Sequence, residues 1–207
     1  MRKVRPVSSR RRELLALAAR MFAERGYGQT TVRDIADAAG ILSGSLYHHF
    51  DSKESMVDEI LRTFLDELFA RYREIVDAGL EPQQTLKALV VASFEAIDTR
   101  HAEVAIYQNE SRQLMGLERF SYIEDRNVEF RKLWSVLLED GMSAGVFRAD
   151  LDVDLAYRFI RDTVWVAVRW YRPDGGLPAE TVADQYLAIL LDGIATGRRK
   201  KSTGTKT

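Results

Sequence analysis

The chain has 207 residues, of which 46% are hydrophobic and 29% charged, and it contains no cysteine, so disulfide bonds and thiolate metal sites are excluded. No apolar run reaches the roughly 18–20 residues of a membrane-spanning helix. The net charge is −1, but the charges are distributed unevenly along the chain. Residues 1–53 hold ten Lys/Arg and five Asp/Glu, whereas residues 54–197 hold fifteen Lys/Arg and twenty-six Asp/Glu. This asymmetry predicts that one end of the molecule binds a polyanion.

The first predicted helix follows the basic start of the chain and carries an apolar face from Leu14 to Phe22. Arg20 interrupts this face and no export cleavage site follows it, so we expect a cytoplasmic protein rather than one with a signal peptide. The basic arm, Arg2 to Arg12, has two interpretations. It either contacts DNA, in an adjacent minor groove or along the phosphates, or is a chance excess of charge in a flexible arm.

A short second helix is predicted from its cap. Thr30 or Thr31 can cap a helix that runs through Ala39, with Asp34 completing a Thr-x-x-Asp variant of the capping box. Gly40 then ends the helix, because glycine adopts a left-handed turn at little cost.

Serines introduce the next two predicted helices. Ser43 is predicted to cap a short helix through Phe50, and Ser52 to cap a long one that begins near Lys53. A helix, a glycine turn and a second short helix within twenty residues are the plan of a helix-turn-helix unit.

Helical periodicity continues to the end of the chain, with no alternating strand pattern. We therefore predict an all-α fold of about nine helices, with a three-helix N-terminal head that contains the helix-turn-helix and a larger C-terminal helical body. The head comprises residues 1–53, the body residues 54–197, and residues 198–207 are a basic tail predicted to be disordered. The helices predicted in the body after the long one are 83–98, 101–115, 121–144, 153–172 and 179–196.

Two stretches of the head carry a family resemblance. TVRDIADAAGI, from Thr31, and SGSLYHHFDSKE, from Ser43, resemble the N-terminal signature of the TetR family of bacterial repressors. The resemblance implies a homodimer with an N-terminal DNA reader and a C-terminal ligand pocket, and therefore a protein that is not an enzyme.

The DNA-binding residues follow from that placement. Tyr47 and His48 would donate to phosphates, Lys53 lies at a helix N-terminus that favours an anion, and Thr31 offers a hydroxyl and an N–H. Arginine and serine side chains can reach base edges or phosphates, and a glycine allows close approach. The candidate DNA-binding residues are Thr31, Arg33, Ser43, Gly44, Ser45, Tyr47, His48 and Lys53.

The histidine pair does not predict a metal site. His48 and His49 are adjacent on a helix and point about 100° apart, and no third ligand lies nearby in sequence. His49 is the better candidate for a structural residue that turns inward.

In the body, most apolar residues are expected to be core, but one helix mixes cations with a large ring. Arg161, Trp165 and Arg169 recur at i, i+4 and i+8 and are expected to form one stripe. The stripe indicates either a solvated face with one cation–π pair or a site for an anionic ligand with a flat or apolar part. Further candidate ligand residues, which could equally be exposed or capping residues, are Gln108, Asn109, Arg112 and Tyr122.

The resemblance extends into the body through SFEAI, RFSYIEDRN, DLDVDLAYRFIRDT and VRWYRP. These segments resemble an actinobacterial member of the TetR family that represses genes for the breakdown of the C and D rings of cholesterol. That resemblance implies an inducer that is a coenzyme A (CoA) thioester of a steroid-derived indane propionate. The Arg/Trp stripe agrees with such a ligand, which carries phosphates, an adenine ring and an apolar skeleton.

The resemblance also implies that the last two helices form a four-helix bundle between two subunits. The candidate dimer residues, each of which could instead belong to the core of one chain, are Val164, Val168, Tyr186, Ile189, Leu190 and Ile194.

We therefore expect a dimeric repressor that binds double-stranded DNA and is released by an acyl-CoA, with no membrane partner and no cofactor. The alternatives are a TetR-type regulator of another acyl-CoA, fatty-acid or hydrophobic-ligand pathway, an architectural DNA binder and an enzyme of acyl-CoA metabolism.

Overall fold

The computed structural model describes residues 7–194, and describes side chains from residue 10 onward. The predicted tail, residues 198–207, and the first residues of the basic arm lie outside the described part of the chain. Within residues 7–194 the regular structure is helical and no β-strand is present, as predicted for an all-α fold. No helix in that part of the chain combines the length and the apolar character that crossing a bilayer requires.

The head has three helices, and the long fourth helix leads into the body. Their bounds are α1 Val7–Arg25, α2 Val32–Ala38, α3 Ser43–Tyr47 and α4 Lys53–Asp77. The body continues through α5 Pro82–Thr99, α6 His101–Leu114, α7 Tyr122–Ser143, α8 Val153–Trp165 and α9 Ala179–Ile194. Single 3₁₀ turns occupy Glu118–Phe120, before α7, and Val166–Arg169, after α8.

Local capping explains where α2 and α4 begin. Thr31 accepts a hydrogen bond from the backbone of Asp34 while Asp34 accepts one from the backbone of Thr31, so the predicted capping box is confirmed. Ser52 caps α4 in the same reciprocal way with Ser55. Each pair satisfies two backbone donors that the first turn of a helix leaves free.

The prediction for α3 is wrong at both ends. Leu42 occupies the N-cap position and makes no side-chain cap hydrogen bond, whereas Ser43 is already the first helical residue. The helix ends at Tyr47 rather than Phe50. A serine one position inside the helix cannot accept from the N–H groups that a cap residue satisfies.

Two apolar clusters meet along α4. The first half of α4, Met56 to Leu61, packs with α1, α2 and α3, whereas its second half, Phe64 to Ile75, packs with α5, α7, α8 and α9. The head cluster also takes buried residues from α6 and α7, among them Ile106 and Ile123. Helices α6 and α7 of the body therefore pack directly against the head. The boundary between head and body at residue 53 remains a prediction.

Candidate DNA-binding face and ligand cavity

The helix-turn-helix is held by apolar residues that point inward. Leu46 and Phe50 are 1% and 4% exposed and pack with Ile35 of α2. Gly40 joins the two helices at φ +65°, a conformation that other residues rarely adopt. The inward residues fix the orientation of α3, so its remaining side chains face away from the molecule.

The outward face of α3 holds most of the predicted DNA residues. Tyr47 and His48 are exposed, and a Cβ placed on Gly44 would meet no atom within 4 Å, which leaves room for a close approach. Ser43 and Ser45 are half-buried beside them. The structure therefore brings these five residues together at one end of the head.

Thr31 and Arg33 lie next to this face, at the start of α2. Arg33 is highly exposed and has only a loose ion pair with Asp37, at 3.8 Å. Thr31 is exposed, but its backbone N–H and its hydroxyl both donate to Asp34, at 2.8 and 2.6 Å. These hydrogen bonds lower the pKa of the Asp34 carboxyl, and a phosphate at Thr31 would have to replace them.

Lys53 is held at the corner between α1 and α4. Its Nζ atom donates to the Tyr27 carbonyl at 2.8 Å and lies 4.2 Å from the centroid of the Tyr27 ring. The Tyr27 hydroxyl in turn donates to Glu54. The side chain is half-buried, so its ammonium group both stabilises the head and remains accessible from one side.

Two arginines of the basic arm also hold the head together. Arg10 donates to the Ala39 carbonyl at 3.1 Å, and Arg11 forms a forked ion pair with Glu59 and lies 4.6 Å from the Phe50 ring centroid. These two side chains are therefore bound to the head and do not belong to a flexible arm.

The body contains a cavity of about 530 Å³ between α4, α6, α7 and α8. Of the predicted ligand residues, Gln108, Arg161 and Trp165 line it. Its wall also includes Tyr107, which directly precedes the predicted Gln108, and Tyr157, which was not predicted. Tyr157 looks like a core residue in the sequence, and no spacing distinguishes a cavity wall from a packed interior.

Polar and apolar side chains both line the cavity. Tyr107 donates to the amide oxygen of Asn127 at 2.6 Å, and burial raises the pKa of its hydroxyl, so it remains a neutral donor. Arg161 donates to Asp162 at 2.7 Å and lies 5.4 Å from the Tyr157 ring centroid. The cavity thus offers aromatic walls, hydroxyl and amide groups, the guanidinium groups of Arg131 and Arg161, and the carboxylates of Glu124 and Asp162. An anionic part of a ligand would pair with the two guanidinium groups, and an apolar part would pack on the aromatic walls.

The predicted stripe of Arg161, Trp165 and Arg169 does not form. Helix α8 ends at Trp165, and the following turn has about 3.0 residues per turn instead of 3.6, which rotates Arg169 away. Arg169 lies with Asn109 in a second cleft of about 890 Å³, on the other side of α6 against α1.

The two other predicted ligand residues lie outside the walls of both spaces. Arg112 is exposed on α6. Tyr122 packs beneath the guanidinium of Arg62, which lies 3.8 Å from its ring centroid.

The predicted dimer residues divide into two groups. Val164 and Val168 are 2% and 4% exposed and belong to the core of this chain, so they do not provide surface for a partner. Ile189 is 77% exposed on α9, and the half-buried residues around it on α9 are Tyr186, Leu190 and Ile194. Phe159, which is not among the predicted residues, is 67% exposed on α8. Its neighbour Thr163 has its hydroxyl 3.0 Å from that of Tyr186, which ties the two helices together.

No group of three or more His, Asp or Glu side chains forms a candidate metal site among the residues that the structure describes. His48 is exposed, and the ring of His49 is half-buried with its centroid 6.3 Å from that of Phe50.

Comparison with known proteins places these features in context. A family model described as bacterial regulatory proteins, tetR family, matches residues 14–60, and one described as tetracyclin repressor-like, C-terminal domain, matches residues 79–194. The chain is 65% identical over 189 residues to the HTH-type transcriptional repressor KstR2 of Rhodococcus jostii (strain RHA1), which covers 91% of this chain and 93% of that protein.

Two solved structures are similar in fold. The ketosteroid transcriptional regulator KstR2 of Mycobacterium tuberculosis matches with a TM-score of 0.90 and 64% identity, over 93% of this chain and 98% of that one. AibR in complex with isovaleryl coenzyme A and operator DNA matches with a TM-score of 0.76 and 26% identity, over 87% of this chain and 97% of that one.

Proposed function

Because the chain belongs to the TetR family and is a transcriptional repressor of that family, we propose that it binds a near-palindromic operator as a cytoplasmic homodimer and is released by a CoA thioester derived from steroid catabolism. The observation that carries the release step is the cavity of about 530 Å³ whose wall includes Arg161 and Trp165. The names of the KstR2 relatives and the isovaleryl coenzyme A bound to AibR support the choice of ligand class.

Binding to DNA uses the exposed face of α3. Tyr47 and His48 donate to phosphates on either side of the major groove, and Ser43 and Ser45 face base edges. Gly44 has no side chain, so the backbone of α3 can approach the groove closely. Each subunit reads one half-site, and the spacing of the two heads must match the helical repeat of DNA.

Dimerisation buries the exposed apolar side chains of α8 and α9. Phe159 and Ile189 are the two most exposed large hydrophobic residues that the structure describes in the body. The twofold arrangement sets the distance between heads, because residues of α4 and α6 pack each body against its own head.

Release follows from a ligand that favours a different spacing of the heads. The cavity volume is within the roughly 300–1,000 Å³ of small-molecule sites, and its aromatic walls suit a bicyclic acyl group. The CoA part extends past Arg161, whose guanidinium can pair with phosphate. The ligand must bind the released form more tightly than the DNA-bound form, since equal affinities would shift nothing.

An electrophoretic mobility shift with the DNA upstream of the protein's own gene tests this proposal. The complex is titrated with the indane-propionyl CoA thioester, isovaleryl-CoA, palmitoyl-CoA, free CoA and the free steroid acid. We expect release by the steroid thioester and not by free CoA or the free acid. Release by palmitoyl-CoA alone would favour a fatty-acid regulator. Release by none of the compounds would favour an architectural DNA binder. Formation of free thiol during the incubation would favour an enzyme of acyl-CoA metabolism.

A further inference from the structure

Leu42 is the most exposed large hydrophobic side chain in the described part of the chain, at 80%. It is followed by Ile189 at 77% and Phe159 at 67%, which lie on the surface proposed for the dimer. A fully exposed leucine in isolation needs no explanation, but Leu42 lies on the surface proposed to bind DNA.

The position of Leu42 is fixed by the fold. It occupies the N-cap position of α3 with φ −72° and ψ 143°, and its side chain satisfies no backbone group. Ile41 before it is half-buried in the head, so the extended backbone directs the following side chain to the opposite, open side. Two residues later, Gly44 is surrounded by open space.

We propose that Leu42 contacts the C5-methyl group of a thymine in the major groove of each operator half-site and so helps to determine which sequence is bound. This inference rests on the proposed function, because it requires α3 to enter the groove. The residues at the N-terminal end of the second helix of a helix-turn-helix are the ones that contact base edges.

The chemistry of the side chain selects the thymine methyl. Leucine has no donor or acceptor, so it cannot read the hydrogen-bonding pattern of a base or hold a phosphate. The apolar group that the major groove presents is the methyl of thymine, which distinguishes T·A from C·G at that position. Contact between the leucine side chain and the thymine methyl group excludes water from both apolar surfaces and requires no new polar partner.

Uracil substitution tests the contact directly, because deoxyuridine differs from thymidine by that methyl group alone. Footprinting on the upstream DNA first defines the minimal duplex, and each thymine of one half-site is then replaced singly by deoxyuridine. Binding of each duplex is measured by fluorescence anisotropy for the wild-type protein and for Leu42→Ala. We expect one substitution to weaken wild-type binding about fourfold, the effect of one buried methyl-sized group, and to leave Leu42→Ala binding unchanged.

Two further variants complete the test. Leu42→Met keeps an apolar side chain of similar size and should retain the penalty for the same deoxyuridine. Val136→Ala removes an exposed apolar side chain from α7, away from the head, and should bind every duplex like the wild type.

The outcomes separate this inference from the function on which it rests. A wild-type protein that does not bind the unmodified duplex overturns the proposed function and the role of Leu42 together. Normal binding with a deoxyuridine penalty that persists in Leu42→Ala, or with no penalty at any thymine, overturns the role of Leu42 alone.

Discussion

The carboxylate of Glu110 accepts a hydrogen bond from the backbone N–H of Tyr27 at 3.1 Å, and this contact joins the helix that lines the candidate ligand cavity to the DNA-binding head. Glu110 lies on α6, two residues after Gln108, which lines the cavity. Tyr27 follows α1 and is also held through its carbonyl by Lys53 and through its hydroxyl by Glu54. We therefore expect a displacement of α6 by a ligand to be transmitted to the junction of α1 and α4.

The first prediction concerns this contact. Glu110→Ala should keep both operator binding and ligand binding but reduce the coupling between them, because α6 loses its hydrogen bond to the head. The coupling free energy, about 1–3 kcal/mol in allosteric proteins, is obtained from the operator dissociation constants with and without saturating ligand. Glu110→Gln retains an acceptor oxygen and should give an intermediate value.

Gln113→Ala is the matched control for Glu110. Gln113 lies three residues later on α6, is exposed, and lines neither the cavity nor the second cleft. It should behave like the wild type. A Glu110→Ala protein with the full wild-type coupling would contradict the transmission role.

The second prediction concerns the cavity. Arg161→Met and Trp165→Leu should bind operator DNA normally but respond poorly to the inducer, because the first removes one of the two guanidinium groups that line the cavity and the second removes an aromatic wall. Isothermal titration with the CoA thioester and a mobility shift measure the two properties separately. Arg158→Met is the control, since Arg158 is exposed on the same helix and pairs with Asp154. Normal release of the Arg161 and Trp165 variants would refute the assignment of the cavity.

The third prediction concerns Lys53. Lys53→Ala should weaken binding to all DNA sequences and reduce the slope of log K against log salt by about 0.9, the value for one lost phosphate contact. Lys132→Ala, an exposed charge on α7, controls for the change in net charge. Because Lys53 also donates to the Tyr27 carbonyl, weaker binding with an unchanged slope would assign its role to the packing of the head instead.

The fourth prediction concerns the dimer. Phe159→Asp and Ile189→Asp should each shift the protein towards monomers, because a carboxylate would be desolvated at the centre of the proposed interface. Sedimentation velocity over a range of concentrations measures the shift. Val136→Asp places the same charge on an exposed position of α7 and should leave the assembly unchanged. Wild-type sedimentation of the Phe159 and Ile189 variants would show that these side chains face solvent.

Several features of the fold could be predicted because they depend on residues close in sequence. The capping box of Thr31 with Asp34 requires two side chains three positions apart, and the cap at Ser52 and the turn at Gly40 each require one residue. The family resemblance adds the positions of the candidate DNA-binding residues, and most of those predicted on α3 lie on its outward face.

The candidate ligand site was predicted only in part, for a geometric reason. Arg161 and Trp165 are one helical turn apart and share a face whatever the surroundings, whereas the end of α8 at Trp165 removes Arg169 from that face. Tyr107 and Asn127 belong to the site through contacts between separate helices, which no local spacing reveals.

By itself, the sequence determined the helical content, the caps of α2 and α4, the helix-turn-helix and the family, because these depend on short-range backbone chemistry and on recurring apolar positions. Tertiary structure alone decided that Val164 and Val168 face inward while Ile189 faces outward, and that Glu110 holds the head. Such choices depend on which distant helix packs against each face, and a single helical period does not distinguish a face buried within the chain from one left exposed.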